Sequence, residues 1–224
     1  MRIIAIRPEP GLAATIGAGR ALGLEIEGVP LFRIEPVAWS PPPRNSFDAI
    51  LLGSANAVRL GGPHLYELTD KPAYAVGEKT AAAARDAGFE VAATGAGGLQ
   101  AVLDSIGGKP LRLLRLAGET HVPLELPRRV EMETRIVYRS TALAMPRSLA
   151  ERLASEAIVL LHSGEAARHF SLECERLGVD KSKVGIAALA PRIAEMVGPG
   201  WGDVALPGTV AEAALLAMVR DICH

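Results

Sequence analysis

Two serines stand where apolar strands give way to helices. Ser54 follows Ala49-Ile50-Leu51-Leu52-Gly53, and Ser163 follows Ile158-Val159-Leu160-Leu161-His162. A serine at such a junction accepts an amide of the first helical turn, worth about 1 kcal/mol. The free amides beside a strand's carboxyl end also suit an anion. Gly77-Glu78-Lys79-Thr80 forms a third junction of this kind. It lacks the spacing of a phosphate loop. The amides of Gly77, Glu78 and Lys79 and the Thr80 hydroxyl still make a positive end, with an ordinary glycine-capped turn as the bland alternative. Arg7, Arg115 and Arg139 fall at strand ends, where a guanidinium can meet carboxylates. Plain surface arginine is the alternative for each. Tyr138 closes the run Arg135-Ile136-Val137-Tyr138. It is either an aromatic packed on a strand or a phenol able to give a hydrogen bond or a proton.

Other chemistries lack their residues. His64, His121, His162, His169 and His224 show no metal-ligand spacing, so no metal is expected. His162 precedes Ser163 at a strand end and can line a cleft. Cys174 falls inside a helix and Cys223 near the end, neither placed as a nucleophile, and no Gly-x-Ser-x-Gly elbow exists. Gly17-Ala18-Gly19 lies at the end of the first helix, whereas a dinucleotide fingerprint follows a strand directly. Catalysis through a covalent enzyme intermediate is not expected.

The elements that must hold these residues alternate. Strands are read at residues 2–6, 25–34, 49–52, 73–76, 91–93, 111–116 and 131–138. Helices are read at 10–22, from Ser54, at 78–87, and at 99–106 with Gly107-Gly108 closing it. A poor helix containing Pro123 and Pro127 is read before the strand at 131. Continuous apolar strands separated by helices indicate parallel sheets covered on both faces, an α/β protein.

The pattern also repeats. Ser54 and Ser163 stand 109 positions apart, Gly77 and Ala190 113 apart, and Arg2–Arg7 matches Arg112–Leu116 at 110. Several pairs at nearly one offset indicate two similar α/β lobes, and a crevice between lobes is a usual ligand site. Charge is balanced, 24 basic against 25 acidic residues, which argues against a nucleic-acid partner. No apolar stretch reaches the roughly 18–20 residues of a membrane span, and two cysteines give no disulfide scaffold. A soluble cytoplasmic monomer with a small-molecule substrate and no membrane contact is expected.

In order and spacing, these motifs resemble the uroporphyrinogen-III synthase family. The matching residues are Ile4-Ala5-Ile6-Arg7-Pro8, Phe47-Asp48-Ala49-Ile50 leading to Ser54-Ala55-Asn56, Ala75-Val76-Gly77-Glu78-Lys79-Thr80, Leu113-Leu114-Arg115-Leu116-Ala117-Gly118-Glu119, and Val137-Tyr138-Arg139. The resemblance continues through Ser163 to the last helix after Thr209. It implies two parallel-sheet lobes joined by a two-stranded ladder. Lobe one would hold residues 1–34 and 142–224, lobe two 38–134, and the ladder 31–38 and 135–143. It implies cofactor-free dehydration and cyclisation of hydroxymethylbilane with inversion of ring D. Tyr138 would assist departure of the hydroxyl. Arg7, Ser54, Gly77, Glu78, Lys79, Thr80, Arg115, Ser163 and Arg192 would face the substrate. Two positions depart from the family's pattern. Ala190-Pro191-Arg192-Ile193 replaces a Gly-Pro-Thr-Thr type motif, so Arg192 offers charge in place of hydroxyls, and Gly53 stands where Thr is common. The rival reading is a non-catalytic two-lobed binding or regulatory module, since architecture alone does not imply activity.

Overall fold

The computed structural model describes residues 1–106 and 111–223. The expected Gly107-Gly108 helix stop and His224 lie outside them. Along the chain run β1 (Arg2–Ala5), α1 (Gly11–Ala21), β2 (Ile26–Gly28), β3 (Phe32–Pro36), β4 (Ala49–Leu52) and α2 (Ala55–Leu60). After a 3-10 turn come β5 (Ala73–Val76), α3 (Glu78–Asp86), β6 (Val91–Gly95), α4 (Leu99–Ser105), β7 (Leu111–Gly118) and β8 (Val130–Ala142). The remainder is α5 (Arg147–Leu153), β9 (Ala157–Leu161), α6 (Gly164–Leu177), β10 (Val184–Ala188), α7 (Pro191–Val197), β11 (Asp203–Ala205) and α8 (Glu212–Cys223).

Two compact units result. Met1–Arg33 with Thr141–His224 form one, and Ile34–Ser140 the other. The first holds a sheet in the order β11-β10-β9-β1-β2, with every pairing parallel. The second is built on the order β3-β8-β7-β4-β5-β6, parallel from β8 to β6.

The duplication seen in the sequence is a duplication of register. Ala49 lies beside Leu113 in one sheet, and Ile158 beside Ile3 in the other. Ile50 pairs with Ala73 as Val159 pairs with Ile186. Successive strand residues face opposite sides, and both sides are covered. Ile4, Val159 and Ile186 pack with Phe170 of α6 on one face, while Ile3, Ile158 and Leu160 pack with Leu215 and Leu216 of α8 on the other. In the second unit Ile50, Leu52 and Leu114 face Ala57 and Ala81, and Ala49, Leu51 and Leu113 face Val102 and Leu103. This two-sided burial is why the strands read as unbroken apolar runs. Each fully buried Leu or Ile contributes roughly 1.5–3 kcal/mol.

Two expectations are corrected. The strand read at 25–34 is two strands in two sheets. Pro30 has no amide to donate and fixes its own φ, so the run breaks after Gly28. Leu31 makes the last bond to the β1 side, Leu31 N–H to Ile6 O (3.0 Å), before β3 departs. The helix expected around Pro123 and Pro127 does not form, and residues 121–127 carry no regular structure. Two prolines remove donors that a helix there would need. The segment is held by side chains instead: Gln100 Nε2 donates to Glu125 O (2.9 Å), and Arg115 Nη1 donates to Val122 O (3.0 Å). The short edge strand β11 escaped the sequence reading.

The expected ladder is present as β3 beside β8, and β8 is also the neighbour of β7. Leu143 N–H bonds Leu31 O and Val37 N–H bonds Val137 O, which runs the two segments in opposite directions.

Candidate active site

In the second unit the chain runs β4 to β5 to β6 in one direction across the sheet, and β7 to β8 in the other. Strand order therefore reverses between β4 and β7. In open parallel sheets the crevice beyond the carboxyl ends at such a reversal is the usual ligand site. A cavity of about 270 Å³ lies there, lined by Gly53 and Ser54 after β4, Arg115 and Gly118 of β7, Tyr138 of β8, and Leu99 of α4. The proline-containing segment contributes Thr120, His121 and Val122. Sequence reading missed these three because they belong to no periodic element.

Arg115 is only 4% exposed. Among the described residues no carboxylate stands in ion-pair reach of it, and its one hydrogen bond goes to Val122 O. Burial pushes its guanidinium pKa down, opposed by the nearby Tyr138. An arginine stays charged under such a shift, so a cation with spare donors borders the cavity. A buried charge without a partner is costly, and an anionic ligand group would relieve it.

Tyr138 is aimed by two local features. The β7–β8 register slips between Ala117 and Gly118, so that Gly118 faces Tyr138 after Ala117 has faced Ile136. Irregularities of this kind re-aim side chains. Gly118 then makes room for the ring: a Cβ at that position would come within 2.6 Å of Tyr138 Cζ. Ser54 caps α2, its Oγ accepting the Asn56 amide at 3.2 Å.

The other expected residues of this unit do not join the cavity. Gly77 adopts φ 74°, a conformation that favours glycine, and its amide is taken by Gly95 O. Glu78 is exposed and pairs with Arg85 at 2.6 Å. Lys79 is exposed and Thr80 buried at 5% exposure. Arg139 is exposed and pairs with Glu35 at 3.4 Å.

The first unit has its own reversal, between β1 and β9. Arg7, just past β1, meets Glu212 at 3.3 Å, and His162, just past β9, meets the same carboxylate at 3.0 Å. Thr15 Oγ1 donates to it as well. Burial alone would raise the Glu212 pKa. The hydrogen bonds from His162 and Thr15 and the nearby Arg7 guanidinium outweigh it and hold the carboxyl at about 2. Arg7 thus has a resident carboxylate. Ser163 caps α6 by accepting the Ala166 amide at 3.2 Å, and Arg192 is exposed on α7. Thr15 and Glu212 were missed in sequence, since Glu212 lies 205 positions from Arg7 and no local spacing links them. Cys174 is buried in α6, where desolvation pushes its thiol up to about 12, unsuited to nucleophilic work. Among the described residues no group of three or more His, Cys, Asp and Glu is placed to hold a metal ion, and no helix is long and apolar enough to cross a membrane.

The family model of uroporphyrinogen-III synthase HemD matches residues 13–217. The chain belongs to the uroporphyrinogen-III synthase family. Membership puts it among the enzymes of tetrapyrrole and heme biosynthesis. Two solved synthases share the fold. One is the uroporphyrinogen-III synthetase of Helicobacter pylori, 17% identical, with TM-score 0.66 over 99% of this chain and 100% of that one. The other is a mutant uroporphyrinogen III synthase from the extremely thermophilic bacterium Thermus thermophilus, 16% identical, with TM-score 0.55 over 100% and 99%. No curated protein sequence matches the chain.

Proposed function

We propose that this chain closes hydroxymethylbilane to uroporphyrinogen III, as a cofactor-free hydro-lyase, with Tyr138 and Arg115 at the reacting end. The substrate's terminal hydroxyl leaves as water once a proton reaches it, giving an azafulvene. The substituted carbon of ring D attacks that carbon to form a spiro intermediate. Breaking the older bond to ring D and reclosing at its free carbon inverts the ring. No electrons enter or leave, and water is the only by-product.

The observation that carries this reading is Arg115, a buried guanidinium with no carboxylate in ion-pair reach among the described residues, bordering the same cavity as Tyr138. A linear tetrapyrrole bearing eight carboxylates supplies what Arg115 lacks. A cavity of about 270 Å³ suits one pyrrole with its acid arms rather than the whole chain. Arg115 would hold a side-chain carboxylate, Ser54 would offer a hydroxyl, and Tyr138 would assist the departing hydroxyl. Uncatalysed closure joins the ends head to tail and gives isomer I, so the enzyme's task is to hold the end rings where the spiro route is faster.

The test is incubation with hydroxymethylbilane, oxidation of the products, and chromatographic separation of the isomers. Isomer III in excess is expected. Isomer I alone, beside an active control enzyme, would overturn the proposal.

A further inference from the structure

The reversal points of the two sheets are related by the internal duplication, yet they are filled differently. Beside β7 and β4 the cation Arg115 borders an open cavity and has no carboxylate among the described residues. Beside β1 and β9 the cation Arg7 is paired with Glu212. The donors around Glu212 come from distant stretches of chain: Arg7 and Thr15 near the start, His162 after β9, with Glu212 itself on the first turn of α8.

Arg7 lies against the start of α1. Gly11 opens that helix, and a Cβ there would meet Arg7 Nε at 2.6 Å, so a side chain at Gly11 would make the guanidinium shift. Arg7 also donates to Thr15 Oγ1 at 3.2 Å, which keeps it oriented independently of Glu212. The His162 side chain is only 6% exposed, and among the described residues its Nδ1 has no partner. The ring is thus held to the cluster through Nε2, which presents that nitrogen to whichever carboxylate occupies the site. Arg7 and Glu212 are 29% and 30% exposed, so solvent and solutes reach the pair.

We propose that this cluster is a second carboxylate-binding site, occupied in the free protein by the chain's own Glu212 and taken over by a carboxylate of the ligand. The proposal rests on the reading of the ligand as a polycarboxylate. The exchange replaces like with like. A ligand carboxylate accepts from Arg7, Thr15 and His162 as Glu212 does, while Glu212 regains its hydration by rotating outward from the first turn of α8. Glu212 therefore acts as a competitor built into the fold. It keeps the buried donors satisfied when the site is empty and sets a threshold that weakly carboxylated molecules do not pass.

Glu212→Ala and the double variant Arg7→Ala/Glu212→Ala test this, with Glu212→Gln as the isosteric variant that keeps packing while releasing the charge on Arg7. The probe is citrate, against sodium chloride at matched ionic strength. Citrate is expected to raise the Tm of Glu212→Ala by several degrees more than that of the double variant, with wild type between. Glu212→Gln should show the same ordering should the alanine variant fold poorly. The KM for hydroxymethylbilane should fall several-fold when Glu212 is removed. Equal citrate shifts in the variants with and without Arg7 would overturn the proposal and leave Glu212 as a clasp. Wild type that makes no isomer III, with citrate still discriminating, would count against the enzymatic reading and not against this site.

Discussion

Tyr138 rests on Gly118 so closely that a methyl group at Gly118 would come within 2.6 Å of Cζ and 2.9 Å of the phenolic oxygen. Placing the phenol therefore requires a residue without a side chain on the neighbouring strand. Gly118→Ala should displace the ring while leaving its chemistry intact. Tyr138→Phe should do the reverse. A proton donor of this kind contributes about 10²-fold or more to turnover. Both variants are expected to lower kcat by about that factor with little change in Tm, and the double variant should be no slower than Tyr138→Phe. Additive losses would mean that the two residues act separately. Unchanged kcat in Tyr138→Phe would remove the tyrosine as the proton donor.

Arg115 should matter for binding more than for folding. Replacing a buried charge with an apolar side chain of similar length is often neutral or stabilising, and among the described residues Arg115 has no carboxylate that its loss would strand. Arg115→Met is expected to raise KM about tenfold or more, the value of one charged hydrogen bond at roughly 1.5–3 kcal/mol. Its Tm should hold or rise. A collapse in Tm with KM unmoved would make the guanidinium a support for the Val122 segment and nothing else.

Acid should weaken the fold through Glu173. This carboxylate, on α6, accepts the Met145 amide and a two-pronged contact from Arg176 at 2.7 and 2.8 Å. The Arg176 hydrogen bonds are the main cause that holds its pKa at about 2, below the usual 4.5. Because the folded value is depressed, its stabilisation is complete above the unfolded pKa and is lost as pH falls toward 2. Wild type should exceed Glu173→Gln by on the order of 2 kcal/mol in urea unfolding near neutral pH, with most of the gap gone by about pH 2–3. A gap that persists in acid would mean that packing, not ionisation, distinguishes the variants.

The legible part of the molecule was what periodicity and repetition carry. Apolar runs gave the strands because both sheet faces are buried, and the matched offsets correspond to strand pairs in the same register, Ala49 with Leu113 and Ile158 with Ile3. Ser54, proposed from its junction, lines one cavity with Arg115 and Tyr138, which were read as strand ends but lie within β7 and β8. What escaped notice depends on contacts between distant segments or on irregular chain. Nothing near Glu212 in sequence signals that Arg7, Thr15 and His162 converge on it. Residues 121–127 read as part of a poor helix, yet His121 and Val122 line the cavity and the carbonyls of Val122 and Glu125 accept from Arg115 and Gln100. Thr80 carries a hydroxyl at a helix start, but the first turn of α3 directs it inward, where it is buried.

Ser54 and Ser163 occupy equivalent junctions and both cap a helix at 3.2 Å, Ser54 through the amide two residues on and Ser163 through the amide three residues on. Ser54 also lines the cavity. Cap and ligand contact can be separated because glycine replaces a serine cap at a loss of only a few tenths of a kcal/mol, whereas alanine costs about 1 kcal/mol. Ser54→Ala should therefore lower stability by about 1 kcal/mol and Ser54→Gly by much less, yet both should raise KM by the same factor, since both lack the hydroxyl. A KM that rises only with alanine would assign the effect to the helix start and exclude the hydroxyl from binding. Ser163→Ala and Ser163→Gly serve as the matched pair in the other unit. There the stability difference should recur, and the KM comparison reads directly whether the Ser163 hydroxyl touches substrate.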